Sequence, residues 1–152
     1  MITAAEYLDC CDRAWEGYAA VAVALGDDLV NRRPDVAGAN TAYGLITHVV
    51  GVAGRWARTV NRGVVVPRDR DAEFVATGTV EEALALVAFG RERLREDVGA
   101  TADFAALSAN PPGDQPAQSC GAVLLHVYEE LAQHLGQLEV TRDVLLAASG
   151  RP

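Results

Sequence analysis

The chain has 152 residues, half of them apolar, which is enough for one ordinary domain with a buried core. A formal charge of −8 at pH 7 and a pI near 4.8 exclude the basic footprint of a nucleic-acid-binding surface. All thirteen basic residues are Arg, which excludes Schiff-base lysine chemistry, and no apolar run is long enough to cross a bilayer.

The N-terminal MITAAEYLDCCDRAWEG has acidic residues where a secretory signal needs a basic start and a long apolar run, so a cytoplasmic protein is expected. Thr3 followed by Glu6 reads as a capping box, and Leu8, Cys11, Trp15, Tyr18, Ala22 and Leu25 keep the three-four spacing of a first helix that Gly26 should end. Three cysteines, two of them adjacent, make no disulfide framework and suit a reducing compartment. Cys10, Cys11 and Cys120 read as small buried hydrophobes. Cys120 alone sits at a helix start, where the dipole would lower a thiol pKa.

After a loop with Pro34, Gly38 and an N-cap signal at Asn40, a second helix is predicted from about residue 41 to 61, with Gly63 as its stop. Leu45, Val49, Val52 and Trp56 recur at helical spacing and carry His48 inward with them. Residues 64–78 hold Pro67, dense mixed charge and no sustained period. Fully extended, such a link reaches about 50 Å, longer than the roughly 30 Å of a twenty-residue helix, so it can cross the whole molecule. The third helix starts at Thr79, where Glu82 completes another capping box, and turns Val80, Leu84, Val87, Leu94 and Val98 inward. A loop with Pro111, Pro112 and Pro116 follows, and the fourth helix spans residues 119–149 before Gly150. Four amphipathic helices with two long connections define an all-α four-helix bundle in one domain, residues 1–152.

The fourth helix carries the chemistry. His126, Glu130 and His134 recur every four residues, one above another on a face shared with Val127, Leu131, Leu135 and Leu138. Polar groups turned toward a core need partners, since burying them unpaired costs several kcal/mol in rough terms. With His48 from the second helix, two helices can bring a Glu and two His to one metal, with a coordination position left open.

On these segments the chain resembles the DinB-like superfamily, including the metal-binding domain of mycothiol-dependent maleylpyruvate isomerases. HVVGVAGRW is similar to the family's first-ligand segment, a His with Trp eight residues on. HVYEELAQHLGQ is similar to its second-ligand segment, and RDRDAEF to a stretch of the middle linker. The resemblance implies a bundle of up-down-down-up topology, whose long crossover joins parallel second and third helices. It also implies His48, Glu130 and His134 as ligands of a divalent metal, zinc first, with nickel, iron and manganese open to the same donors. Glu130 matches the isomerase version, where many relatives have His; Ala53 departs from a Glu often seen there. The sequence stops after the fourth helix, where the isomerase goes on to another domain, and this leaves the isomerase's own reaction open.

His126, two turns before His134, has drifted about 80° round the helix, so it is read as a pocket or outer-shell residue rather than a ligand. Arg68 and Arg70 are read as contacts to thiol or substrate, and Gln137 as a hydrogen-bonding contact to substrate or simply part of the rim. For the two Arg, ion pairs with Asp69, Asp71 and Glu73 are an equal alternative. The implied function is metal-dependent activation of a low-molecular-weight thiol, mycothiol, for transfer to or isomerisation of an electrophilic small molecule. The competing readings are a non-catalytic metal-binding or stress-response protein and a metal-assisted hydrolase. Neither nucleic acid nor membrane is an expected partner, and a homodimer is allowed.

Overall fold

The computed structural model describes residues 2–150. Its long helices are α1 (Ala4–Leu29), α2 (Ala42–Ala53), α4 (Val80–Gly99) and α5 (Cys120–Ser149). A short α3 (Arg70–Glu73) lies within the 64–78 crossover, and α2 runs on as a π-helical stretch, Gly54–Asn61. Thr3 and Thr79 form complete capping boxes with Glu6 and Glu82. Ser119 caps α5, and Gly150 closes it in the left-handed conformation. Two boundaries differ from the sequence expectation. Thr41, not Asn40, accepts the capping bond of α2. Gly26, at φ 66°, bends α1 without ending it, and the helix continues to Leu29.

The directions of the helices follow from which residues meet. Tyr43 lies against Gly78, Val50 against Gly90, and Arg58 bonds Asp97, so α2 and α4 run parallel. Tyr7 and Tyr18 of α1 donate to the carbonyls of Leu124 and Leu131, so α1 and α5 are parallel as well. Asp12 of α1 meets Arg91 and Arg95 of α4, while Asp27 accepts from the Val80 amide, so those two helices are antiparallel. The result is the expected up-down-down-up bundle. Its core draws on all four long helices, with Trp15, Tyr18, Leu25, Leu45, Val49, Leu94, Leu131 and Leu138 almost wholly buried.

Of the expected core, Trp56 and Leu84 are only partly buried. The wider i→i+5 bonding after Ala53 turns Trp56 off the line of Leu45, Val49 and Val52. On α4 the inward face is Ala83, Val87, Gly90, Leu94 and Val98, because the small Ala83 and Gly90 admit a close approach. A Cβ at Gly90 would stand 2.8 Å from Trp15.

The 100–119 loop closes one end of the bundle. The Ala109 and Asn110 amides donate to the carbonyls of Asn61 and Val60, at the end of the π stretch. The Cys120 and Gly121 amides donate to Ala106 and Phe104. Backbone groups that helix ends leave orphaned are thereby satisfied on two elements at once. No helix among the described residues is long and apolar enough to cross a membrane.

Candidate metal centre

His48 enters from the middle of α2; Glu130 and His134 enter from α5, one turn apart. One ligand atom from each lies within 4.8 Å of the others. The His48 and His134 rings meet edge to face, 4.9 Å between centroids, and His134 Nε2 is 3.2 Å from Glu130 Oε2. His48 is buried, whereas Glu130 and His134 are partly exposed. The cluster thus sits at a wall rather than in the dry core. It opens on a cavity of about 570 Å³ whose lining includes Asn40, Val52, Trp56, Arg70, Phe74, His126 and Gln133.

The tautomers are set by outer partners. His48 Nδ1 lies 2.8 Å from Glu73 Oε2, and a carboxylate can only accept there, so Nδ1 carries the proton and Nε2 keeps its lone pair. His134 Nδ1 likewise donates to Gln137 Oε1 at 3.0 Å. Each imidazole therefore presents a basic Nε2, the form a metal requires. Burial pushes the His48 pKa below its ordinary value, opposed by the Glu73 hydrogen bond, and a neutral ring is again what results. Two neutral imidazoles and a carboxylate are a fitting donor set for a divalent transition metal.

Glu73, which the sequence reading placed only as an ion-pair partner of the linker Arg, is the carboxylate bonded to His48. It is buried, and Arg68 holds it by a fork, Nε at 2.6 Å from Oε1 and Nη2 at 2.8 Å from Oε2. The signal for it is Gly51, one helical turn after His48, where a Cβ would overlap the Glu73 carboxylate. Phe74 stacks on the His48 ring at 4.4 Å, and the Arg70 guanidinium lies over the Phe74 ring at 5.3 Å. Crossover residues thus back His48 from Arg68 to Phe74.

The remaining residues named from the sequence divide. His126 lines the cavity with its ring 4.5 Å from Trp56 and its Nε2 3.5 Å from Glu130. Arg70 lines the cavity and makes no ion pair among the described residues. Arg68 also lines it, but its guanidinium is committed to Glu73. Gln137 is exposed and bonded to His134. Cys120 is buried and its thiol pKa is raised by that burial, so the dipole at the start of α5 does not yield a reactive thiolate.

Fold and site together define a helical bundle with a two-histidine, one-carboxylate cluster supplied by two facing helices. A family model of the DinB superfamily matches residues 11–138, and the chain belongs to that superfamily, which is metal-binding in general. No curated protein and no solved structure shows a significant match to the chain.

Proposed function

We propose that this protein is a metal-dependent enzyme that activates a low-molecular-weight thiol, mycothiol, for transfer to or isomerisation of an electrophilic small molecule. The observation that carries this reading is the convergence of His48, Glu130 and His134 within 4.8 Å at the wall of an open cavity. A divalent metal, zinc first, held by these three would supply the Lewis acidity that lets a thiol lose its proton near neutral pH.

The chain's own residues then have distinct tasks. Glu73 holds the His48 ring in its Nε2-basic form, and Arg68 holds Glu73. Trp56 and Phe74 give the cavity apolar walls that limit water around the reacting sulfur. Arg70, whose one partner among the described residues is the Phe74 ring, offers a cation to a carboxylate on the thiol or the electrophile. Asn40 and Gln133 add neutral hydrogen-bonding groups on the same lining. Among the described residues lining the cavity, His126 is the one proton acceptor besides the three proposed ligands, so the acidity of the sulfur would come from the metal.

The test is to incubate zinc-loaded protein with mycothiol and a panel of electrophiles, both epoxides and activated alkenes, and read products by mass spectrometry. Thiol-dependent conversion that His134→Ala removes supports the proposal. Conversion by metal-loaded protein without any thiol would mean hydrolysis instead, and no turnover at full metal occupancy would mean a binding protein.

A further inference from the structure

A second cavity, of about 450 Å³, lies between α2, α4 and the 64–78 crossover; His48, Glu130 and His134 do not line it, although Glu73 behind His48 does. Arg68 alone lines both cavities. The walls of the second are mostly apolar, from Val50, Pro67, Ala72, Phe89 and Leu94, and its volume is in the range of small-molecule sites. Phe89 lines this cavity and is 55% exposed.

The charge facing this cavity is the informative part. Its carboxylates are already engaged: Glu73 by Arg68 and His48, Asp97 by Arg58 and Arg62, and Asp69 by the Ala72 amide it caps. Arg55, half-buried on the π stretch, makes no hydrogen bond or ion pair among the described residues. Arg93 has one long contact, 3.5 Å to a Glu96 oxygen that Arg58 holds at 2.9 Å, and otherwise lies over the Phe89 ring at 5.5 Å. Asp69 keeps its charge, so this lining carries four Arg (Arg55, Arg58, Arg68 and Arg93) against three carboxylates (Asp69, Glu73 and Asp97), and in a chain of net charge −8 it is positive by one.

We propose that the second cavity binds a small amphipathic monocarboxylate, an aromatic or short aliphatic acid, with its apolar body between Phe89 and Pro67 and its carboxylate on Arg55. A neutral ligand would leave Arg55 without a partner, and a polyanion would meet too few free cations and too much apolar wall. The proposal stands apart from the metal chemistry, since none of the three clustered side chains lines this cavity.

The probes are 2-naphthoate and its neutral counterpart 2-naphthamide, titrated by fluorescence into the full chain with and without zinc. The acid is expected to bind about ten-fold or more tightly than the amide, as a charge-assisted pair gives. Arg55→Gln should remove that preference. Ala72→Trp should fill the cavity and abolish binding, with Ala76→Leu as a second, milder block should the Trp variant misfold. His134→Ala should leave binding unchanged. Equal affinity for acid and amide, retention of the preference in Arg55→Gln, loss of binding in His134→Ala, or no saturation at millimolar acid would each overturn the proposal.

Discussion

In the proposed metal site Glu73 would decide how well His48 serves as a ligand, because its carboxylate fixes both the ring's orientation and its tautomer. Removing an outer partner of a ligating His costs about 10–100-fold in metal affinity, and Glu73→Ala should show a loss of that order in a chelator competition. Glu73→Gln keeps an acceptor oxygen and should lose less. Gly51→Ala should mimic Glu73→Ala, since its methyl occupies the carboxylate's place. If Glu73→Ala binds metal as tightly as the parent, the orienting role is wrong. Cysteine chemistry is predicted at the same scale. Burial pushes the Cys11 thiol up to about 12 and raises Cys120, so at pH 8 both should resist alkylation while the protein is folded. Rapid modification of either, seen by peptide mass mapping, would contradict that burial. The α5 half of the cluster was legible from spacing, because Glu130 and His134 stand four apart on one helix, whereas the choice of His48, Glu130 and His134 over His126 came with the family resemblance. Glu73 was not legible, because it reaches His48 across 25 residues from a segment without periodicity, and only the missing side chain at Gly51 marks its place.

At the scale of elements, one end of the parallel α2–α4 pair is tied by Asp97, nearly fully buried and held by Arg58 and Arg62. Deleting one member of a buried ion cluster strands the others, at about 3–5 kcal/mol. Asp97→Ala should therefore lower stability by about that amount in urea unfolding, far more than Glu96→Ala at the exposed rim. Asp12 ties α1 to α4 more weakly. The Arg91 hydrogen bond is the main cause that lowers its pKa, with Arg95 adding to it. A depressed carboxyl stabilises the fold above its ordinary value near 3.8 and stops doing so as pH falls through its folded value. Asp12→Asn should thus cost on the order of 1 kcal/mol at pH 7, and the gap should close in acid. A gap that stays constant down to pH 2.5 would exclude the ion pair as its origin. The starts of α1 and α4 were readable because capping boxes are local, while α2, which has none, was capped one residue later than expected. The π stretch and the inward face of α4 were not readable, since one depends on how α2 packs and the other on Ala83 and Gly90, whose smallness no apolar count rewards.

For the whole molecule, the up-down-down-up order follows from a crossover long enough to run back along the bundle, a property that chain length permits but does not impose. Pairing of Tyr43 with Gly78 at one end and of Arg58 with Asp97 at the other fixes it. That topology brings α2 and α5 together antiparallel, so His48 meets His134 while Trp56 meets His126. A metal at the cluster would join α2 to α5 directly and the crossover to both through Glu73. A ligand that binds only the folded chain stabilises it by about 2.7 kcal/mol at a hundred times its Kd. For a chain of this size that corresponds to a rise in Tm of roughly 5–10 °C. Zinc titrated into metal-free protein should produce this rise, and His48→Ala or His134→Ala should abolish it. The rise should also shrink in acid, where protons compete with the metal for His48, at a pH below the ordinary imidazole value because burial lowers its pKa. Glu130→His should keep it, because imidazole reaches the same ion from the same turn of α5. A zinc-dependent rise that survives in both His variants would place the metal elsewhere, and the function proposed for this cavity would go with it.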